Sequence, residues 1–345
     1  MKYQQLLNTL TTLLLASSRM LAAQTPTQTA CDFLVELDGK IPLATDYYAE
    51  EGKLFTQYKD CLTDKSAAAE RIKHTHDGNT LTNIREDAKE KLTIAVFGGS
   101  EMTECDANFG GGVRIGYEAA RMGYDVVQGG GAGLMMAIRI GSDLFCRSVE
   151  DLEQVIALLC EEKTASADRK MQIRSIVTEK YATCQLQHTH SIHAAIYLAR
   201  MPVKPLIGFG AQRVEIYNDY LRLQALIAIA DVWVCAPGSE GTLLEFVAAL
   251  NAIKYGYITS EKKQKLIVYN TTAWLDNAQI HPNKLNMPVI AHANSAEEVL
   301  GHINTFVQDT HCSNETTLHT CPAALYRQPK AVEKYPSVEQ HSIKI

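Results

Sequence analysis

From residue 92 onward, short apolar runs ending in glycine alternate with segments of helical spacing. LTIAVFGGS at 92–100 is one such run, and YDVVQGGG at 124–131, VKPLIGFG at 203–210 and DVWVCAPG at 231–238 are others. This alternation constrains the fold more than any other feature. A strand that is apolar on every residue must be covered on both faces, and strands separated by helices run parallel. The intervening segments are amphipathic or apolar at helical spacing: 110–123, 132–145, 214–230 and 239–256. QKLIVYN at 264–270 adds a fifth strand and MPVIAHA at 287–293 a short sixth. A final helix follows at 294–307, with Asn294 or Ser295 as N-cap and Glu297 and Glu298 in the first turn. The expected fold is α/β: a doubly wound, parallel, Rossmann-like sheet with a helical N-terminal extension and a helical insertion.

The expected boundaries follow this pattern. Residues 1–30 form a leader or amphipathic segment, and 31–90 a charged helical extension. Residues 91–309 form the sheet domain, interrupted by a helical insertion at 147–200, and 310–345 form an irregular tail. The 345-residue length is ample for such a core. The first 23 residues fit two readings. One lysine, an apolar stretch and small residues near Ala22 resemble an export signal, whereas Leu6, Leu7, Leu10, Leu13 and Leu14 fit one face of a helix. A cytoplasmic protein is the expectation carried forward. No stretch is long and apolar enough to suggest a membrane span, and the net charge of −6 leaves no footprint for nucleic acid.

Nine cysteines are scattered singly, with no CxxC pair. Reduced structural thiols are the expectation, with a Cys312–Cys321 bridge as the lesser alternative. The histidines of HTHSIH, His188, His190 and His193, would suit zinc if His190 and His193 stood three apart on a helix near Cys184. No carboxylate completes such a set, so no metal is expected. No lysine has a Schiff-base context, and no cofactor is expected.

Three glycine turns close three of the strands: Gly98-Gly99-Ser100, Gly129-Gly130-Gly131, and Gly238 to Thr242. In an open parallel sheet, ligands bind at the carboxyl ends of the strands. Glycine there lets backbone N–H groups approach a ligand, and the following helix start favours an anion. Tight strand-to-helix packing would use the same residues. Three such turns in one sheet point to a phosphate or nucleotide. Neither GxGxxG in register nor GxxxxGK[ST] is present, so neither the dinucleotide fingerprint nor a P-loop applies. Glu245 lies one helical turn past Gly241, between Leu-Leu and Phe-Val, where a solvated carboxylate would be out of place. Arg222 sits in a leucine-rich helix ahead of that strand.

These residues resemble a family. PGSEGTLLE at 237–245 resembles the PGGxGTxxE signature of the cytokinin-activating LOG proteins, often misnamed lysine decarboxylases. VVQGGGAGLMMA at 126–137 resembles their second signature, and AVFGGS at 95–100 their first strand and turn. The family's arginine stands fifteen residues before the proline, which falls on Arg222. The resemblance spans roughly residues 91–308. It implies hydrolysis of the N-glycosidic bond of a nucleoside 5′-monophosphate, giving free base and ribose 5-phosphate. It implies Glu245 and Arg222 as the catalytic pair. The substrate would be held by Gly99, Ser100, Gly130, Gly131, Gly133, Pro237, Gly238, Ser239, Glu240, Gly241 and Thr242. It also implies a homodimer. Three positions depart from the pattern: Ser239 replaces a glycine, Leu223 a lysine and Met136 a glutamate. The alternative is a carrier or sensor of the same fold that holds a nucleotide or phosphate without cleaving it.

Overall fold

The computed structural model describes residues 28–38, 57, 60–87, 92–181, 189–194, 212–255, 264–270 and 290–311. Among the described residues, two helices precede the sheet, α1 (Phe33–Leu37) and α2 (Ala67–Asp87). The chain then runs through β1 (Thr93–Phe97), α3 (Ala107–Arg121), β2 (Asp125–Gln128) and α4 (Leu134–Asp143). Next come α5 (Val149–Glu162), α6 (Ala167–Tyr181), β3 (Thr189–Ala194) and β4 (Gln212–Ile216). It continues with α7 (Asp219–Ile229), β5 (Val232–Cys235), α8 (Glu240–Tyr255), β6 (Lys265–Tyr269), β7 (Ile290–Ala293) and α9 (Ala296–His311).

The strands form one seven-stranded sheet in the order β4-β3-β2-β1-β5-β6-β7. Every pair is parallel. β1, β2 and β5 are buried at every residue, as a sheet covered on both faces requires. On one face Ile94, Val96, Val126, Val232 and Val234 meet α3, α4 and α9. On the other, Ala95, Phe97, Val127, Trp233 and Cys235 meet α7 and α8, with Leu81 and Ile84 of α2. The chain begins at the centre, builds outward through β4, then returns to place β5 beside β1. The helices that follow β1 and β5 lie on opposite faces. The two strand ends therefore border the crevice expected at a switch point.

Side-chain caps start several helices, and the cap of α9 is one that the sequence predicts. Ser295 Oγ accepts from Glu298 N–H at 3.2 Å, and Glu298 reaches back to Asn294 N–H at 2.7 Å. Asn218 Oδ1 accepts from Tyr220 and Leu221 N–H at the head of α7. At the opposite end of the sheet from the crevice, Asp231 Oδ2 takes the N–H of Thr93 at 2.9 Å and fixes β5 against β1.

Several expectations need correction. Val214 to Ile216, read as the start of a helix, belong to β4, and α7 begins only at Asp219. The strand expected at 203–210 lies outside the described residues. The stretch read as a helical insertion at 147–200 does contain α5 and α6, which pack over α3 and α4. It also contributes β3 to the sheet itself. That strand carries His190 and His193, so the helical spacing behind the zinc alternative is not present. His188 and Cys184 lie outside the described residues, and no metal-ligand cluster occurs among those described. Against the expectation of reduced thiols, five of the described cysteines are disulfide-bonded. Cys31 is bonded to Cys61 and Cys105 to Cys160, and Cys146 is disulfide-bonded as well. Cys235 is a free, buried thiol. Cys312, Cys321, residues 1–27 and the tail beyond His311 lie outside the described residues. No helix among the described residues is long and apolar enough to cross a membrane.

Candidate functional site

The three glycine turns meet at the carboxyl ends of β1, β2 and β5. Gly99 N–H donates to Pro237 O at 2.9 Å, and Leu134 N–H donates to Gly99 O at 3.3 Å. The turn after β1 thus bridges the other two. Space there is minimal. A β-carbon on Gly238 would lie 2.1 Å from Thr242 Oγ1 and 2.9 Å from Gly99 N. One on Gly133, which adopts φ +65°, would lie 2.1 Å from Gly99 O. These two positions demand glycine, one for space and one for backbone conformation as well.

Gly238 to Thr242 lead into α8. The first intrahelical bond here runs from Leu243 N–H to Ser239 O at 3.1 Å. The N–H groups of the first turn, Glu240 to Thr242, lie at the positive end of the helix, with no preceding turn to accept them. Ser239, Glu240 and Gly241 are exposed, whereas Thr242 is 4% exposed. Ser100 is exposed in the turn after β1, while Gly130, Gly131 and Pro237 are partly buried. Ser239 is not among the residues with positive φ, so its backbone does not require the glycine found in the family pattern.

Arg222 and Glu245 come together at this end of the sheet from α7 and α8. The Arg222 guanidinium donates through Nη2 to Gly129 O at 3.0 Å. Glu245 is partly buried. Burial pushes its carboxyl up to about 7, and the Arg222 charge pulls against that rise. A carboxyl group poised there can hold or release a proton near neutral pH. Beneath it, burial raises the Cys235 thiol well above its usual range, with the Glu245 charge adding to the rise. That thiol stays protonated and inert.

Two of the three departures have a packing explanation. Leu223 packs against the core that contains Leu81 and Ile84 of α2, so a lysine there would meet an apolar cover. Met136 packs with the α5–α6 cluster. Sequence reasoning missed two side chains of the site. Gln128 is 1% exposed, and its Oε1 accepts the N–H of Gly130 within the second glycine turn. Its signal was available: a polar residue closing a strand that is otherwise covered on both faces. Asn270 donates to Asn108 Oδ1 at 2.7 Å and ties the end of β6 to the first turn of α3. Nothing in the local sequence marks that pair.

Fold and site together define a doubly wound α/β protein whose three glycine turns meet at the ends of its central strands. No family model matches the chain, and no curated protein matches it. Among solved structures it is similar to the molybdenum cofactor carrier protein of Chlamydomonas reinhardtii, at 12% identity and a TM-score of 0.37, covering 63% of this chain and 98% of that one. It is also similar to the molybdenum cofactor binding protein of the phototrophic bacterium Rippkaea orientalis, at 16% identity and a TM-score of 0.36, covering 63% and 98%. A third similar structure is that of TM1055, at 16% identity and a TM-score of 0.35, covering 62% and 99%.

Proposed function

We propose that this protein is a LOG-type phosphoribohydrolase, which cleaves the N-glycosidic bond of a nucleoside 5′-monophosphate. One observation carries the reading: a carboxyl group poised near neutrality, Glu245, one turn from a glycine-lined helix start and under the influence of Arg222. The first turn of α8 and the Thr242 hydroxyl hold the 5′-phosphate. Gly99, Ser100, Gly130, Gly131 and Gly133 line the crevice from β1 and β2. Bond cleavage builds positive charge on the ribose. The Glu245 carboxylate stabilises that charge and orients the attacking water. Arg222 supports the ionised form of Glu245. The step needs no metal or organic cofactor.

A carrier or sensor that binds without cleaving is the second reading, and the Arg222 hydrogen bond to Gly129 O favours it. An arginine engaged with its own backbone has fewer donors to offer a reacting ligand. The deciding experiment is a panel of common nucleoside monophosphates assayed for free base and ribose 5-phosphate. Release of base from one of them is the expected result. Binding of one without release from any gives the carrier reading.

The homodimer belongs to the same proposal. Leu244, Val247 and Tyr255 are exposed along one stripe of α8, and light scattering in solution tests whether a second copy covers them. The disulfides argue for an oxidising compartment in place of the cytoplasm, since such bonds rarely persist among reduced cytosolic thiols.

A further inference from the structure

A carboxylate of the helical extension reaches the head of α7. Asp77, midway along α2, is fully buried. Its Oδ1 accepts the N–H of Tyr217 at 3.0 Å and its Oδ2 the N–H of Asn218 at 2.8 Å. These are the two residues immediately ahead of α7. The hydrogen bonds then continue. Asn218 caps the helix, and its carbonyl accepts the N–H of Arg222 at 2.9 Å. Arg222 in turn donates to Gly129 O at 3.0 Å. An unbroken path therefore leads from a buried carboxylate on α2, through the head of α7, to the glycine turn after β2.

The surroundings of Asp77 hold it in place. His76 Nδ1 lies 3.5 Å from Asp77 Oδ1, and the His76 ring stands edge-on to Tyr217 with centroids 6.0 Å apart. Leu81 and Ile84, one and two turns further along α2, share a core with Ala225, Leu226 and Ile229 of α7. α2 is thus packed directly on α7, with the Asp77 carboxylate at the head of that helix. Two N–H donors on one carboxylate fix both the position and the direction of the backbone that carries them.

We propose that Asp77 is a positioning residue of the site: by fixing the start of α7 it sets where the Arg222 guanidinium stands relative to Glu245 and the glycine turns. This rests on the reading above, in which Arg222 serves the ligand crevice. It makes residues 67–87 a working part of the site, although they lie outside the stretch that resembles the family.

The test uses the full chain and the titration of Glu245, a readout that does not need turnover. Glu245 responds to the charge of Arg222 and, below it, faces the uncharged Cys235 thiol. Asp77→Asn keeps the volume of the side chain but turns one acceptor into a donor facing an N–H. Carbon-13 carboxyl NMR, with the Glu245 signal assigned by its loss in Glu245→Gln, should show the midpoint rising by about half a pH unit or more as Arg222 withdraws. In an Arg222→Gln background, Asp77→Asn should add no further shift. An unchanged midpoint, or a shift that persists without Arg222, overturns the proposal. Should Asp77→Asn fail to fold, Asn218→Ala interrupts the same path at the cap and should shift the midpoint in the same direction; no shift there overturns it equally. Where a monophosphate is turned over, kcat should fall about tenfold with KM held within about twofold, since the phosphate turn hangs on α8 and not on α7. Absence of turnover in the unmodified protein counts against the proposed hydrolysis and leaves the titration result standing.

Discussion

At the scale of single residues, the proposed function gives Glu245 and Gly238 separable jobs. Glu245→Gln should lower kcat by about a hundredfold or more, while monophosphate affinity measured by calorimetry stays within about threefold. If activity is retained, Glu245 has no part in the chemistry. In the unmodified protein kcat should rise with pH through about 7, as the Glu245 carboxyl ionises. Stability should move the opposite way. Burial raises Glu245 from 4.5 and Asp143 from 3.8, each to about 7, so the folded protein takes up a proton at each site between the two values. Their contribution is therefore complete at low pH and falls as pH rises to about 7. Denaturant melts at pH 5 and pH 8, with and without Glu245→Gln, check this: the variant should show the weaker pH dependence. Gly238→Ala is different in kind. Its methyl would meet Thr242 and the backbone of Gly99, at a cost of about 1–3 kcal/mol and the loss of phosphate binding. Ser239→Gly should leave folding within about 0.5 kcal/mol, because Ser239 is exposed and its φ is not positive.

At the scale of elements, α7 joins the extension to the sheet, and Leu223 shows how. Leu223→Lys would introduce the lysine of the LOG signature, yet it would press an ammonium against the apolar core that α2 and α7 share. The expected outcome is a loss of about 1–3 kcal/mol in chemical denaturation with no gain in turnover. The central strands were legible in the sequence for a physical reason. β1, β2 and β5 are covered on both faces, so each reads as an unbroken apolar run. β4 was not legible. It is the outermost strand of the sheet, and QRVEI carries the polar residues that such a position tolerates. β3, next to it, reads THSIHA and likewise offers no apolar run. Glu245 and Arg222 could be picked out by motif spacing, and both stand near the strand ends. Asp77 could not, because its partners are 140 and 141 residues away and no local pattern encodes such a contact.

At the scale of the molecule, the covalent links set both the setting and the stability. Cys31–Cys61 closes a separation of 30 residues next to α1, and Cys105–Cys160 closes one of 55 between the loop after β1 and α5. In the chain-entropy view, each contributes roughly 4 kcal/mol by restricting the unfolded state. Mass spectrometry of the unreduced protein after proteolysis should recover both cross-linked peptide pairs. A reducing agent should lower the unfolding midpoint in urea by an amount that Cys31→Ala and Cys105→Ala reproduce in part. If the unreduced protein yields only free thiols at these positions, the oxidising compartment falls with them.

The position of β1 between β2 and β5 has a consequence in time. A ribosome delivers β1 and β2 long before β5, and Asp231, which takes the N–H of Thr93, lies 138 residues downstream of it. Until then the side of β1 that will pair with β5 is a bare edge, with its outward N–H and C=O groups open to any passing strand. The candidate crevice does not exist until its last wall has been made. Pulsed proteolysis of stalled chains should find protection of β1 appearing only once residues beyond 235 have emerged.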